Sequence, residues 1–482
     1  MRGLEAAKVK RYGRWALVVL GAALLALGAW WIWSASGGAE ATSSGTAAAS
    51  AILSAGIFVL VFAAISLRWM HETAAALMGA VTVWLFHYVG GVIWPGIRLL
   101  DFEESMSFVD WNVIFLILGM MIFMAMFSET GIFGWMAFRA FRLARGSAWL
   151  LGVALVVLTG VVSAFLNDVT AILLLVPLSI EIAETVGVHP FAYVIPEVLA
   201  SNIGGSATLI GDPPSTIVGS HLGLSFLEYM VNMVPIALLC MVALAVMTMA
   251  LYRRDFIGAR SRLSPALVAR LEADARIRDA TLLRKAGVVG LGTMLLFLFG
   301  DLFGMPASVI ALVGAALLVA WVRPDMHRML HEVDWTTLVF FICIFVLVGG
   351  LEATGVISQL AGAIGEWAGE SQRLATVLMV WVPGLASAVV ANIPFTVAAL
   401  PIADYLTATT HAGQNLAIYW ALILGADLGG NATYLGSAPN IVAVGLLAQA
   451  GYRLSFGRFM RDGVPVTLVT LLLATAWLLL RY

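Results

Sequence analysis

Four polar interruptions break long apolar stretches of this sequence. Two are short and fall at residues 167–170 (Asn-Asp-Val-Thr) and 392–396 (Asn-Ile-Pro-Phe-Thr), and two are glycine-rich and fall at residues 202–214 and 427–440. Asn, Ser and Thr oxygens together with freed backbone carbonyls suit a small dehydrated cation, whereas the N-termini of half-helices favour an anion or a polar oxygen ligand. We therefore predict that the four breaks meet and bind a small solute and a coupling ion.

Polar side chains and glycines of the breaks carry this chemistry. Non-helical backbone at membrane depth is tolerated only where protein or a water-filled cavity satisfies its N–H and C=O groups, so irregular elements that converge there predict a binding site. We expect no cofactor and no metal other than a coupling Na⁺. The candidate ligands are Asn167, Asp168, Thr170, Asn202, Gly204, Gly205, Thr208, Asp212, Asn392, Thr396, Asp427, Gly429, Gly430, Asn431, Thr433 and Asn440.

Three of these ligands, Asp168, Asp212 and Asp427, are acidic. A charged side chain at the bilayer centre costs roughly 2.5–3.5 kcal/mol or more, so an ionisable residue there is a functional hypothesis by default. A desolvated carboxyl group favours its protonated form and can exchange the proton for Na⁺ or for substrate. The alternative is structural, since Asp168 would cap a hairpin and Asp212 would cap the half-helix that follows it. Glu197 fits either a proton relay or a partner for an arginine.

The composition is that of a polytopic membrane protein. Of 482 residues, 61% are hydrophobic and 11% are charged, and apolar stretches of about 20 residues recur along the whole length. We count about eleven transmembrane helices and predict an all-α fold. The net charge of −2 argues against nucleic-acid binding, and two cysteines inside apolar runs support neither a disulfide framework nor a thiolate metal cluster. No hydrolytic or redox constellation suggests an enzyme.

The basic residues assign a side of the membrane to each loop, because cytoplasmic loops carry an excess of Lys and Arg. The segment before residue 15 is basic, so we predict a cytoplasmic N-terminus and a retained anchor helix at residues 15–33. Residues 253–285 hold nine basic and four acidic residues and are predicted to lie inside. The last span, 464–481, then leads out, so the C-terminus is predicted outside, in a bacterial inner membrane.

The two halves of the sequence repeat. Residues 109–111 (Val-Asp-Trp) reappear at 333–335, residues 163–164 (Ser-Ala) at 387–388, and Pro177 at Pro401, all at an offset of 224. The charge pattern starts the first copy outside and the second copy inside. This predicts an inverted-topology repeat, in which substrate and ions bind near the midplane where discontinuous helices meet. We predict two re-entrant hairpins, at residues 149–185 and 374–406, and two broken helices.

Four regions follow from the repeat and the charge pattern. Residues 1–50 are predicted to form the anchor helix and an outside linker, and residues 51–252 the first repeat half. Residues 253–285 form the basic cytoplasmic loop, to which a cytoplasmic partner could bind. Residues 286–482 form the second, inverted half.

Six motifs, in order and with their spacing, resemble the arsenical-permease and P-protein family of the ion transporter superfamily. They lie at residues 109–111, 128–131, 163–170, 202–214, 392–396 and 428–440. The sodium/proton antiporter and dicarboxylate branches of the superfamily are similar in architecture. One departure is the first hairpin, which reads Asp-Asn-Val-Thr in P proteins and Asn-Asp-Val-Thr at residues 167–170. A smaller one is the Ser-Ala-Pro-Asn run at residues 437–440, where relatives often have Ser-Ala-Asn.

This resemblance implies a homodimer in which a scaffold stays fixed while each substrate-carrying domain moves like an elevator. Our leading hypothesis is a proton-coupled antiporter that exports arsenite and antimonite, because neutral trihydroxides need oxygens and amides and the four breaks contain no Lys or Arg. A Na⁺/H⁺ antiporter and a sodium-coupled anion or dicarboxylate transporter are alternatives. An anion channel would instead conduct without proton coupling.

Overall fold

The computed structural model describes residues 43–67, 69–93, 98–144, 147–257, 276–369, 371–410 and 415–482. Within these ranges every regular element is a helix. The predicted anchor at residues 15–33 and most of the basic loop, residues 258–275, lie outside the described residues. The expected location of a partner on that loop therefore stays a prediction.

The first group of helices lies between residues 43 and 257. Their bounds are α1 Ser43–Ser66, α2 Glu72–Leu85 (continued by a π-helical turn Phe86–Gly90 and Gly91–Ile93), α3 Phe102–Ser107, α4 Trp111–Glu129, α5 Ile132–Leu143, α6 Ala148–Phe165, α7 Asp168–Val186, α8 Phe191–Gly205, α9 Pro213–His221, α10 Phe226–Leu251 and α11 Arg253–Ile257. The short helix α3 lies in a loop in which the sequence predicted no regular element.

The helices of the second half begin at residue 280. Their bounds are α12 Ala280–Phe299 (continued by a 3₁₀ turn Gly300–Phe303), α13 Ala307–Val322, α14 Met326–His331, α15 Trp335–Ala353, α16 Val356–Ala368, α17 Gln372–Ser387, α18 Asn392–Thr409, α19 Ala417–Gly429 (continued by a 3₁₀ turn Gly430–Ala432), α20 Ala438–Gln449 and α21 Phe456–Arg481.

Nine helices of the described chain are long and apolar enough to cross a membrane: α1, α2, α4, α6, α7, α10, α12, α15 and α21. Helices α6 and α7 among them are the arms of the first predicted hairpin. Helix α13 is apolar but shorter, with 16 residues. The predicted total of about eleven spans includes the anchor at residues 15–33, which lies outside the described residues, so the two numbers describe different parts of the chain.

The described chain divides into two compact units. One unit comprises its residues up to Asp110 together with Trp335–Trp367, and the other comprises Trp111–Asp334 and Ala368–Tyr482. In the first unit, α2 packs against α1 and α15. Gly79 of α2 permits this packing, because a Cβ there would lie 3.0 Å from a methyl group of Leu347.

The second unit contains all sixteen candidate ligands. Helix α4 packs against α13 through Gly119, where a Cβ would lie 2.8 Å from the carbonyl carbon of Ala311. In the first half, α6, α7 and α8 pack together, and in the second half, α17, α18 and α19 form the equivalent group. Helices α10 and α21 pack against each other and against α8 and α19 respectively. Helix–helix packing of this kind uses small residues at the closest points, since lipid provides no hydrophobic driving force between helices.

Candidate functional site

The first hairpin breaks between α6 and α7. Leu166 has an extended backbone, and Asn167 caps α7 by accepting a hydrogen bond from the N–H of Val169 at 3.0 Å. Oδ1 of Asp168 accepts from the same N–H at 2.8 Å, and Asp168 is buried. Thr170 lies in the first turn of α7 and is half-buried. The break thus lies within a residue or two of the predicted position.

The second hairpin breaks between α17 and α18. The N–H of Asn392 donates to the carbonyl of Gly436 at 3.2 Å, which ties the start of α18 to the second broken helix. Thr396 donates its hydroxyl to the carbonyl of Asn392, one turn earlier, at 2.8 Å. The Asn392 side chain is buried, and its Nδ2 has no hydrogen-bond partner within the described residues.

Both glycine-rich breaks depend on close contact with the neighbouring hairpin. A Cβ on Gly204 would lie 2.6 Å from Cα of Gly160, and one on Gly429 would lie 2.5 Å from Cα of Gly384. No real Cβ fits at those distances, so only glycine allows the backbones to approach. Gly205 and Gly430 make the next contacts along each break, with the residues at 211–212 and 436–437.

Equivalent serines join each hairpin to its broken helix. Ser163 donates to the carbonyl of Ser201 at 2.8 Å, and Ser387 donates to the carbonyl of Ala426 at 2.7 Å. The donors are 224 positions apart and the acceptors 225. The internal repeat found in the sequence is therefore also a repeat of contacts. The opposite membrane orientation of its two copies stays a prediction.

Two candidate ligands, Thr208 and Thr433, make a second pair of equivalent bonds. Thr208 donates its hydroxyl to the carbonyl of Ala164, and Thr433 donates to the carbonyl of Ala388 at 2.6 Å. These carbonyls belong to the hairpin breaks, where the helix no longer provides a donor. In this conformation both hydroxyls satisfy backbone carbonyls.

Three asparagines link the two broken helices to each other. Asn202 of the first half donates to Oδ1 of Asn431 at 2.7 Å and to Oδ1 of Asn440 at 3.0 Å, both in the second half. Ser437 donates in return to Oδ1 of Asn202 at 2.9 Å. All four side chains are buried. The network is satisfied, so it holds the breaks in register across the pseudo-symmetry axis.

The network continues into the backbone of the second break. Asn440 donates to the carbonyls of Gly430 and Thr433, each at 2.9 Å, and Asn431 donates to the carbonyl of Leu199 at 3.3 Å. The carbonyls of Gly430 and Thr433 belong to the irregular backbone of the second break, where side-chain amides supply further donors, whereas Leu199 lies within α8 of the first half.

Three carboxyl groups converge beside this network. Asp212 is a close neighbour of Asp427, and Asp168 is near enough to both to act on them electrostatically. Ser215 lies 3.5 Å from Oδ2 of Asp427. Oδ2 of Asp212 and Oδ1 of Asp427 are buried and have no hydrogen-bond partner in the part of the chain that the structure describes. Asp212 occupies the N-cap position of α9, yet its carboxyl group makes no capping bond.

A small cavity of about 20 Å³ lies against Asp212. Its polar wall is formed by Asn167, Asp212 and Thr216, and its apolar wall includes Leu116, Met120 and Ile210. This volume holds about one particle of the size of water. The cavity therefore joins the first hairpin break to the acidic group.

Sequence reasoning missed Ser215 and Ser437. An offset of 225, which aligns Asn202 with Asp427, also aligns Ser215 with Asn440 and Ser437 with Asp212. Ser215 thus corresponds to the candidate ligand Asn440, and Ser437 corresponds to the candidate ligand Asp212. Applying the symmetry position by position would have found both.

The chain is similar to known membrane transporters. The model of the citrate transporter (CitMHS) family matches residues 62–425. A 46 kDa membrane protein of Mycobacterium leprae is 34% identical over 428 residues, which cover 88% of this chain and 97% of that protein. The human P protein is 31% identical over 510 residues, which cover 90% of this chain and 60% of the P protein.

A similar fold occurs among solved structures. The YdaH transporter of Alcanivorax borkumensis superposes with a TM-score of 0.56 at 15% identity, covering 85% of this chain and 98% of YdaH. At that identity the likeness concerns the fold alone. The described part of the chain has nine candidate spans, and together with these relatives they make the chain a multi-pass membrane transporter.

Proposed function

Since the chain belongs to the citrate transporter (CitMHS) family and is a secondary transporter related to the P protein, we propose that protons drive it through its buried aspartates and that it exports arsenite and antimonite. The observation that carries the proton coupling is the convergence of Asp168, Asp212 and Asp427. Neighbouring carboxyl groups in a water-poor site cannot all be ionised, so they share protons or a cation. A site of this kind changes its proton occupancy as it opens to one side or the other.

We favour the proton as the coupling species. One carboxyl oxygen of Asp212 and one of Asp427 lack a hydrogen-bond partner among the described residues. A proton on either atom would neutralise the carboxyl group without requiring further ligands.

The charge of the site bears on the substrate. The four breaks contain three aspartates and no Lys or Arg. A tricarboxylate would add negative charge to this acidic group without a cationic partner, whereas a neutral trihydroxide would not. Trivalent arsenic and antimony are such trihydroxides at neutral pH. Hydroxyls can bond to Asn, Ser and backbone groups of the kind that line the breaks.

Na⁺/H⁺ antiport is the second candidate, and the cavity beside Asp212 favours it. Asn167, Asp212 and Thr216 supply side-chain oxygens around a volume of about 20 Å³. Oxygen ligands and a carboxylate suit a hard cation. In this alternative the cation replaces the proton on Asp212, so the same residue carries both ions in turn.

The proposal includes movement of the substrate-carrying region by an elevator mechanism in a homodimer, as the resemblance implies. It also includes a cytoplasmic N-terminus and an outside C-terminus in a bacterial inner membrane. Export then uses the inward proton gradient, because protonation from outside returns the carrier to the inward-open state.

The function can be tested with purified protein in proteoliposomes. A pH gradient is imposed, and the accumulation of arsenite, of antimonite, of Na⁺ and of citrate is measured in separate samples against protein-free liposomes. The proposal predicts gradient-driven accumulation of the metalloids with matching proton flux. Accumulation of Na⁺ alone would establish the antiporter. Gradient-driven citrate accumulation without metalloid transport would overturn the assignment of the substrate class.

A further inference from the structure

Another buried acidic residue, Glu197, lies in α8. It is fully buried, and Ser179 of α7 donates a hydrogen bond of 2.5 Å to its Oε1. Its other oxygen, Oε2, has no hydrogen-bond partner among the described residues. Glu197 precedes Asn202 by five residues, or ~7.5 Å along a helix. The sequence left open a pairing with an arginine, and the partner that the structure gives is a serine.

Among the described helices that pack against α8, none supplies a counter-ion to Glu197. Helices α6, α7, α8, α10, α19 and α20 contain no Lys or Arg. Of the arginines on α21, which also packs against α8, Arg458 and Arg461 pair with Asp462, and Arg481 donates to Asn232. The titratable residues of α8 and the helices packed on it are Asp168, Glu181, Glu184, Tyr193, Glu228, Tyr229, Cys240, Tyr419, Asp427, Arg458, Arg461, Asp462 and Arg481.

Of these groups, Tyr193, one turn before Glu197 on α8, is close enough to interact with it electrostatically. Tyr193 uses its hydroxyl to donate to the carbonyl of Ala148 at 3.0 Å. An isolated carboxylate buried without a partner cation is far more costly than the neutral acid. A proton on Glu197 would remove this cost.

The internal repeat indicates that packing does not require this acidic residue. The position equivalent to Glu197, at an offset of 225, is Leu422, and the position equivalent to Ser179, at 224, is Ala403. Both second-half residues are fully buried. The two positions are thus polar in one half and apolar in the other, although the helices that carry them pack together in both halves. The Glu197–Ser179 pair therefore departs from the internal repeat. Burying these polar side chains costs desolvation free energy that an apolar pair would not require.

We propose that Glu197 is a proton-binding site separate from the three aspartates. Oε2 carries the proton, and Oε1 accepts from the Ser179 hydroxyl. Release of the proton places a negative charge between the hairpin arm α7 and the broken helix α8. Proton occupancy of Glu197 is thereby linked to the contact between α7 and α8. This site goes beyond the proposed transport reaction, and its test needs no transported substrate.

The test is an infrared titration of the purified full-length protein in lipid. Spectra of the wild type and of Glu197→Gln are recorded at a series of pH values from acid to alkaline. At each pH the spectrum of the variant is subtracted from that of the wild type. We expect the difference at neutral pH to contain the carbonyl band of one protonated carboxyl group per chain, which changes to a carboxylate band as the pH rises. Glu228→Gln is the matched control, because Glu228 is exposed and its replacement should leave the protonated carboxyl band of the wild type in place.

A carboxylate band for Glu197 at neutral pH would overturn the proposal. Should Glu197→Gln fail to fold, the double variant Glu197→Leu with Ser179→Ala provides the subtraction instead, since it places the residues of the second half at both positions. Its spectrum must lose the same protonated band. An unchanged protonated band in either folded variant would show that the proton belongs to another residue, and would likewise overturn the proposal.

Discussion

The amide of Asn202 donates a hydrogen bond of 2.7 Å to the side chain of Asn431, 229 positions later in the chain. This bond joins the two broken helices directly, and both residues are fully buried. Each residue was selected from the sequence as an ion or substrate ligand. In this conformation the two side chains connect the halves of the repeat at the point where the broken helices are interrupted.

Asn202→Ala should lower the stability of the protein substantially. The change leaves Oδ1 of Asn431, Oδ1 of Asn440 and the hydroxyl of Ser437 without the partner they now have. Each buried group left unpaired costs about 1–3 kcal/mol. Thermal unfolding in detergent, followed by loss of the monodisperse gel-filtration peak, measures the effect.

The control for this prediction is Asn392→Ala, at the break of the second hairpin. Asn392 takes no part in the asparagine network and lies beside the carboxyl group of Asp427, so removing its side chain should cost less. Equal losses for the two variants would mean that the asparagine network contributes little to stability.

Ser163→Ala and Ser387→Ala should have nearly the same effect. Each removes one buried hydroxyl that bonds to a backbone carbonyl, at 2.8 Å and 2.7 Å respectively. Such a bond contributes roughly 0.5–1 kcal/mol in a membrane protein. Denaturant titrations of both variants and of the double variant provide the comparison. A large loss for one serine and none for the other would contradict the structural equivalence of the two contacts.

Gly204→Ala and Gly429→Ala should each prevent correct packing of a broken helix. The added Cβ would lie within 3 Å of the backbone of Gly160 or Gly384, which cannot move like a flexible side chain. We expect little folded protein after extraction. Gly445→Ala in α20 is the control, because no atom lies within 4 Å of its added Cβ and alanine favours the helix. Normal yields of folded Gly204→Ala would refute the close contact between α6 and α8.

Hydropathy and repeats in the sequence were sufficient to locate the breaks. The first hairpin breaks at Asn167, where the polar run begins, and the second breaks at Asn392. The reason is physical, since a polar run inside an apolar stretch has few stable arrangements at membrane depth. The offset of 224 reappears in the structure as paired hydrogen bonds from Ser163 and Ser387.

The sequence could not separate ligands from structural cross-links. An amide such as that of Asn440 can bind a solute or satisfy a backbone carbonyl with the same atoms, and only the three-dimensional arrangement decides between them. Here Asn440 bonds to the carbonyls of Gly430 and Thr433, and Thr208 bonds to that of Ala164. By contrast, Asp212 retains a carboxyl oxygen without a partner among the described residues. The roles of all candidate ligands in transport stay predictions.

The central claim is that the buried aspartates couple proton movement to transport. The direct measurement makes two assays on the same proteoliposomes. One is substrate accumulation driven by a pH gradient, and the other is equilibrium exchange of substrate at symmetric pH. Asp212→Asn and Asp427→Asn mimic permanently protonated carboxyl groups, and Glu228→Gln is the exposed control. We predict that both Asn variants retain exchange but accumulate substrate only to the level of equilibrium, while the control accumulates like the wild type. Full gradient-driven accumulation by both Asn variants would contradict the claim.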